Sequence, residues 1–282
     1  MLGSSLCRLY YNEHEIYAFH RDEECFSTYS EDYSLDLTDS TQLQTFFSII
    51  KPDLVIQCAG LTSLDACERE PLQAQEANVA VTKNIARICS NETKLVYIST
   101  DQVYGTADDH SEVNINLEPI NQYGKTKLQG EQKVQELCTD YIIVRTNIFG
   151  WNVKPGKISS AEWIYRSLKN GEEITLFTDY TFSPVYTEYL GEIIMQLVDI
   201  DFTGVINAGA SRPCSKYDFG MQLAEEFGFD KSRIYKGSID DHSFLAPRCK
   251  NLGLNVNKLS YIGLPAIDYR ESLKKFRQDI PD

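Results

Sequence analysis

The chain has 282 residues, 42% of them apolar and 11% aromatic, enough to bury a sizeable core as one or two domains. Its mean hydropathy of −0.33 and the lack of any long uninterrupted apolar run exclude a helical membrane protein. A formal net charge of −14 excludes nucleic acid or an anionic membrane as an extended partner, because phosphate recognition on that scale needs a basic face. A small phosphorylated ligand needs only a few amides and one or two cations, and stays open.

In chain order, "LGSSLCRLYYNEH" reads as a first helix with an apolar stripe at Leu6, Leu9 and Tyr10. The next run, "EIYAFHR" (15–21), reads as a buried strand leading to a basic turn. The runs "DLVIQCAG" (53–60), "KLVYIST" (94–100) and "YIIVRTNIFG" (141–150) are nearly continuous in apolar residues, as expected of strands covered on both faces. Helices are expected after Asp39, across 73–90 and across 122–138. This alternation predicts an α/β fold with a doubly wound, Rossmann-like parallel sheet and right-handed crossovers. After Trp151 the rhythm loosens into a helix near 160–169, a strand "EITLF", a helix over 187–199 and the run "GVINAGA". A helix near 216–227, a polar loop and a closing helix follow. The expected organisation is a main domain over 1–150, rejoined by 176–208, and a smaller discontinuous lobe made of 151–175 and 209–282.

Eight cysteines, at 7, 25, 58, 67, 89, 138, 214 and 249, form no Cys-x-x-Cys pair, and several sit in apolar patterns such as "VIQCAG" and "IARICS". They read as reduced core thiols of a cytoplasmic protein. The first residues show no basic stretch followed by an apolar core and cleavage site, so no secretory signal is read there. Asp240, Asp241 and His242 lie together but without metal-ligand spacing, and no metal site is assigned.

The strongest local signal is "YGKTK". On a helix Tyr123 and Lys127 share a face, so a phenol and an ammonium can point into one cleft. A free phenol has a pKa near ~10, and a neighbouring ammonium is expected to lower it while also holding a ribose hydroxyl. Alone, a Tyr-x-x-x-Lys arises by chance about once in such a chain. Upstream, however, "YISTDQVYG" ends an apolar strand with Ser99, Thr100 and Asp101, where ligand groups gather at the carboxyl edge of a parallel sheet.

With "CAGLTSLDACEREP", "ANVAVTKNIA", "ISTDQVYG", "NQYGKTKLQGE", "VRTNIFG" and "APRCKNLGLNVNKL", spread over nearly the whole chain, the sequence resembles the extended short-chain dehydrogenases/reductases. Within them it resembles the dTDP-4-dehydrorhamnose reductase branch of sugar-nucleotide enzymes. The resemblance implies an oxidoreductase in which Thr100, Tyr123 and Lys127 form a catalytic trio. Tyr123 would protonate the C4 oxygen, Thr100 would orient that carbonyl, and Lys127 would hold the nicotinamide ribose. It implies that Leu2, Asp36, Leu37, Gly60, Leu61 and Thr62, with Gly3 and Ser99, line the cofactor cleft, and that Asp101, Arg248 and Asn251 face a nucleotide sugar. The main domain would bind the cofactor and the smaller lobe the substrate, and a homodimer is compatible with this reading. Cys249 stands where the motif of Arg248 normally continues with proline. Gln102 follows "STD", as in related branches, and Ile148 replaces an aromatic residue of the rhamnose enzymes, so the sugar stays open.

In such folds an acid after the second strand suits the ribose hydroxyl of NAD and a basic residue suits the 2′-phosphate of NADP. His20 and Arg21 therefore favour NADPH, with Asp22 and Glu23 directly after them leaving NADH as the alternative. A second reading is a non-catalytic, nucleotide-binding relative, since the regulatory subunit of methionine adenosyltransferase resembles the same family.

The helix at 2–10 would normally follow a strand and a Gly-x-Gly-x-x-Gly loop, and only the last glycine, Gly3, is visible. Lack of that central strand would leave a gap of ~9–10 Å with two buried edges unpaired. The expectation is a natural protein that begins about ten residues earlier, with Met1 an internal methionine or the edge of a fragment.

Overall fold

A computed structural model describes residues 1–21, 29–89, 92–154 and 156–281; Asp22, Glu23 and Cys25 lie outside the described residues. Helix α1 (Leu2–Tyr10) buries Leu2, Ser5, Leu6 and Cys7. Strand β1 (Tyr17–His20) pairs in parallel with β2 (Glu31–Ser34), whose sequence EDYS carries no apolar run to announce it. Asp39 then caps α2 (Ser40–Ile50) by accepting from the amides of Thr41 at 2.9 Å and Gln42 at 3.1 Å.

Strand β3 (Leu54–Gln57) leads to the short helix α3 (Leu64–Arg69). The single helix expected over 73–90 is a run of three segments: α4 (Pro71–Gln75), a π turn at Glu76–Ala80, and α5 (Val81–Ile88). Pro71 starts this run where a missing amide costs nothing. Strand β4 (Lys94–Ile98), helix α6 (Gln122–Leu137) and the nine-residue β5 (Tyr141–Phe149) complete the first half.

Beyond it come α7 (Ser160–Lys169), β6 (Ile174–Phe177), β7 (Thr181–Phe182), β8 (Pro184–Tyr186), α8 (Thr187–Asp199) and β9 (Gly204–Ala208). The remaining elements are β10 (Cys214–Ser215), α9 (Lys216–Phe227), β11 (Ile234–Gly237), β12 (Asn251–Leu252), α10 (Asn257–Tyr261) and α11 (Tyr269–Gln278). Two- and three-residue strands have no periodicity to read, and β7, β8, β10 and β12 are visible only through their partners.

Strands β3, β4 and β5 form a parallel sheet, and β5 divides its far edge between two neighbours. Its first half pairs with β9 (Ile142↔Gly204 to Thr146↔Ala208), and its last three residues pair with β8. Within the stretch 176–208, the chain enters this sheet at Pro184. Strand β6 pairs instead with β11, and β7 joins β10 and β12.

Among the described residues β1 and β3 do not pair with each other; β1 has only β2 and β3 only β4. All of β1 is therefore half-exposed and β3 mostly so, although the apolar runs predict burial. Strands β4 and β5, flanked on both sides, are the ones covered on both faces.

One hydrophobic cluster gathers α1, α8 and one face of β4, β5 and β9 through Leu6, Val96, Val144, Leu190 and Ile206. Another, with Leu43, Ile85, Leu95, Tyr97 and Val134, fills the opposite face under α2, α5 and α6. A third is built on aromatic rings of the second half: Phe149, at the end of β5, meets Phe219 at 5.1 Å and Phe276 at 5.6 Å, both edge-to-face. Among the described residues no helix is long and apolar enough to cross a membrane.

Helix α6 lies so close to β4 that a Cβ on Gly130 would stand 2.2 Å from the hydroxyl of Tyr97 and 3.0 Å from the carbonyl of Asn78. Overpacking of this kind costs about 1–3 kcal/mol. Gly130→Ala is expected to lose that much in urea denaturation, and Tyr97→Phe in the same chain to recover part of it by removing the nearest atom.

Candidate active site

The site lies where β3, β4 and β5 reach their carboxyl ends, beneath the first turns of α6. Beyond β4 the chain makes a single 3₁₀ turn at Asp101–Val103, capped by Thr100, whose hydroxyl accepts from the amide of Gln102 at 3.3 Å. That hydroxyl also donates to Asp101 at 3.0 Å, and its nearness to the phenol of Tyr123 opposes part of the rise that burial imposes on that phenol. Asn121 caps α6 through the amide of Gly124 at 2.8 Å, which sets the helix so that Tyr123 and Lys127 face this turn. Thr100, Asp101, Tyr123 and Lys127 are all buried.

The ammonium of Lys127 stands 3.9 Å over the ring of Tyr97 and has no hydrogen-bond acceptor among the described residues. The close approach at Gly130 is what permits this stacking. Burial is the main cause that pulls Lys127 down to about 7, against the opposing charge of Glu131 one turn further on. The expectation that Lys127 lowers the phenol does not hold here. Burial dominates and raises Tyr123, with the charges of Asp101 and Cys67 adding to the rise. A phenol so placed keeps its proton at neutral pH. Asp101 is also raised, first by burial, while hydrogen bonds from Asn147, Thr100 and Gln102 oppose the shift.

Several residues that hold the site are not among those the sequence singles out. Asn78, presented by the π turn, accepts from the amide of Leu61 at 2.8 Å, donates to its carbonyl at 3.0 Å and donates to Thr126 at 3.0 Å. It thereby fastens the loop after β3 to the helix turn between Tyr123 and Lys127. Glu131 accepts from Ser99 and from two nitrogens of Arg145, at 3.0 and 2.7 Å. Arg145 in turn donates to the hydroxyl of Tyr104 at 3.0 Å. A charge inside the apolar run "IIVRTN" was the available signal, since a buried charge needs a partner. From the second half, Lys216 brings its ammonium to 3.7 Å from the ring of Phe182, within the field of Asp101. Burial lowers it to about 8.

The remaining sequence-derived residues fall in separate places. Leu61 packs in a small cluster with Tyr123 and Cys67, while Gly60 and Thr62 are exposed beside it. Ser99 is committed to Glu131. Leu2 belongs to the main core, and Gly3 in the first turn of α1 faces Cys58 just beyond β3, 3.9 Å from where its own Cβ would stand. His20 ends β1 and Arg21 follows it, and Asp36 and Leu37 follow β2; Arg21 lies in the field of Asp36, whose carboxyl is lowered chiefly by the amide of Thr38. Arg248 comes from the second half to Asp65 on α3, Nη2 to Oδ1 at 2.9 Å. Asn251 is exposed and accepts from the amide of Gly253 at 3.1 Å.

A parallel α/β sheet with a Tyr–Lys pair on the helix over its carboxyl edge, and a threonine at the end of the neighbouring strand, defines an extended short-chain dehydrogenase/reductase. Residues 1–281 match the RmlD substrate binding domain family, and the chain belongs to it. It is 33% identical to a dTDP-4-dehydrorhamnose reductase of Mycolicibacterium smegmatis over 85% of this chain and 73% of that protein. A crystal structure of dTDP-4-dehydrorhamnose reductase from Bacillus anthracis in complex with NADP superposes with a TM-score of 0.82, at 29% identity, covering 89% of this chain and 90% of the other. The methionine adenosyltransferase 2 subunit beta of Danio rerio is 23% identical over 86% of this chain and 79% of that protein.

The depressed lysine predicts a stability profile. Between about pH 7 and the ordinary lysine value near ~10.4, the unfolded chain binds a proton at Lys127 that the folded chain does not. Stability from this group therefore rises with pH across that window, and the penalty is fully present below about pH 7. Lys127→Met is expected to raise the melting temperature by about 5 °C at pH 7, with the gain shrinking towards pH 10. Thermal melts of both proteins across that range check it.

Proposed function

We propose that this protein reduces the 4-keto group of a nucleotide-activated 6-deoxy sugar with NADPH, as a dTDP-4-dehydrorhamnose reductase-like enzyme. The observation that carries the reading is the buried corner of Thr100, Tyr123 and Lys127, with a phenol whose proton is retained. The family and the relatives named above support the substrate class.

The residues present fit the dinucleotide. The first turn of α1 contains no acidic residue, so its amides can face a pyrophosphate. Arg21 supplies a cation after β1, where a 2′-phosphate would lie. Lys127 has three donors and an aromatic ring but no acceptor among the described residues, as suits a group that holds ribose hydroxyls. When bound, NADPH supplies the hydride.

The chain's own residues do the rest. Tyr123 gives its proton to the substrate's C4 oxygen as negative charge develops there. The Thr100 hydroxyl, next to that phenol, orients the carbonyl. The Lys127 ammonium stabilises the phenolate left behind. The carboxylate of Glu131, although paired with Arg145, still favours the charged form of Lys127. Asp101 and Arg248 face the nucleotide sugar. A cytoplasmic location agrees with the seven free cysteines of the described residues.

The relatives of the methionine adenosyltransferase subunit motivate the non-catalytic alternative, and the intact Thr100–Tyr123–Lys127 set favours the enzyme. With dTDP-4-keto-6-deoxy sugar as substrate, Tyr123→Phe is expected to lower kcat by ~10²–10⁴-fold while NADPH binding and the melting curve stay parental. Retention of most of kcat would remove Tyr123 as the proton donor. Arg21→Ala is expected to reduce kcat/KM for NADPH more than for NADH; equal kcat/KM for both cofactors in the parent would reject the assigned cofactor preference.

A further inference from the structure

Helix α3 extends two carboxylates, one turn apart, to different parts of the molecule. Glu68 accepts from the amide of Gln122 at 3.0 Å, at the start of the helix that carries Tyr123 and Lys127. Asp65 turns to the segment 246–248 of the second half. Its Oδ1 accepts from the amide of Ala246 at 3.0 Å and from Nη2 of Arg248 at 2.9 Å. Asn121, the cap of α6, donates to the carbonyl of Pro247 at 3.1 Å. Three successive residues of this strap are thus tied across the cleft.

The ties leave Arg248 in a particular state. Its guanidinium lies 4.8 Å from the ring of Phe244, one terminal nitrogen is held by Asp65, and the other, Nη1, is buried with no acceptor among the described residues. An unsatisfied buried donor of a charged group is costly, and charged fork donors are suited to phosphate oxygens. Arg248 and Asp101 both act on the half-buried Tyr180, so the strap bears on the same cleft as the 3₁₀ turn.

We propose that Asp65 is a positioning residue for substrate: it holds one side of the Arg248 guanidinium so that Nη1 is presented to a diphosphate oxygen of the nucleotide sugar. This rests on the nucleotide-sugar reading above. Asp65 touches no reacting atom in this account; it acts through Arg248, and its effect is on affinity rather than on the chemical step.

The test is calorimetric titration of dTDP alone into the whole protein, the Asp65→Asn and Arg248→Met variants and the double variant, with NADPH affinity and melting temperature measured on each. Asparagine keeps the acceptor for Ala246 and removes the charge, so the strap stays in place. Asp65→Asn is expected to weaken dTDP about tenfold and to raise KM for the sugar nucleotide similarly, with kcat within about twofold and NADPH affinity unchanged. In the Arg248→Met background the same substitution is expected to add nothing. Parental dTDP affinity in Asp65→Asn, or a loss fully additive with that of Arg248→Met, overturns the inference and leaves the function standing. A loss confined to kcat also overturns it. A parent that binds no dTDP overturns the nucleotide-sugar reading, and this inference with it.

Discussion

Glu131 holds its carboxylate where almost no water reaches it, and the placement of three elements follows from the need to satisfy that group. Arg145 must rise from the middle of β5 with two nitrogens towards it, and Ser99 must turn its hydroxyl inward at the end of β4. Helix α6 must then sit close over both strands, which the absence of a side chain at Gly130 allows. Buried ion pairs add little net stability, but loss of one partner costs about 3–5 kcal/mol because the other charge is stranded. The pair therefore acts as a register pin: it leaves the helix that carries Tyr123 and Lys127 one rotation and one height over the sheet.

The same burial sets the chemistry. It raises the phenol of Tyr123 and lowers the ammonium of Lys127, so each group is held nearer its neutral form than it would be in water. For a reduction this is the useful direction, because the phenol must arrive protonated and the carbonyl oxygen must receive that proton. At neutral pH only Lys127 works against the fold's stability, because the phenol of Tyr123 is neutral in the folded and the unfolded chain alike.

The parallel sheet and its helices were legible because strands β4 and β5 are continuous apolar runs and α6 carries its own cap and the Tyr-x-x-x-Lys spacing. The fate of β1 and β3 was less so. Their composition announces strands, but exposure depends on which neighbours a strand finds, and that is a tertiary fact. Thr100, Tyr123 and Lys127 could be singled out as candidates because each lies in a local motif. Asn78, Asp65 and Lys216 could not, since a polar residue on a helix reads as solvated until its distant partner is known: Thr126, Arg248 and Asp101, respectively. Arg145 stands between these cases, a charge inside a buried strand that demanded a partner without naming it.

Strand β5 belongs to two hydrophobic interiors at once. Its first half is a rung of the main sheet, and its last residue, Phe149, is the ring on which Phe219 and Phe276 lean from the second half of the chain. Phe276 lies in α11, so the aromatic cluster cannot finish assembling until the chain has been made through that helix. A nascent chain would hold a formed sheet with an exposed apolar tip until α11 arrives to cover it. Seen from the ribosome, α11 is the clasp that covers the apolar end of β5.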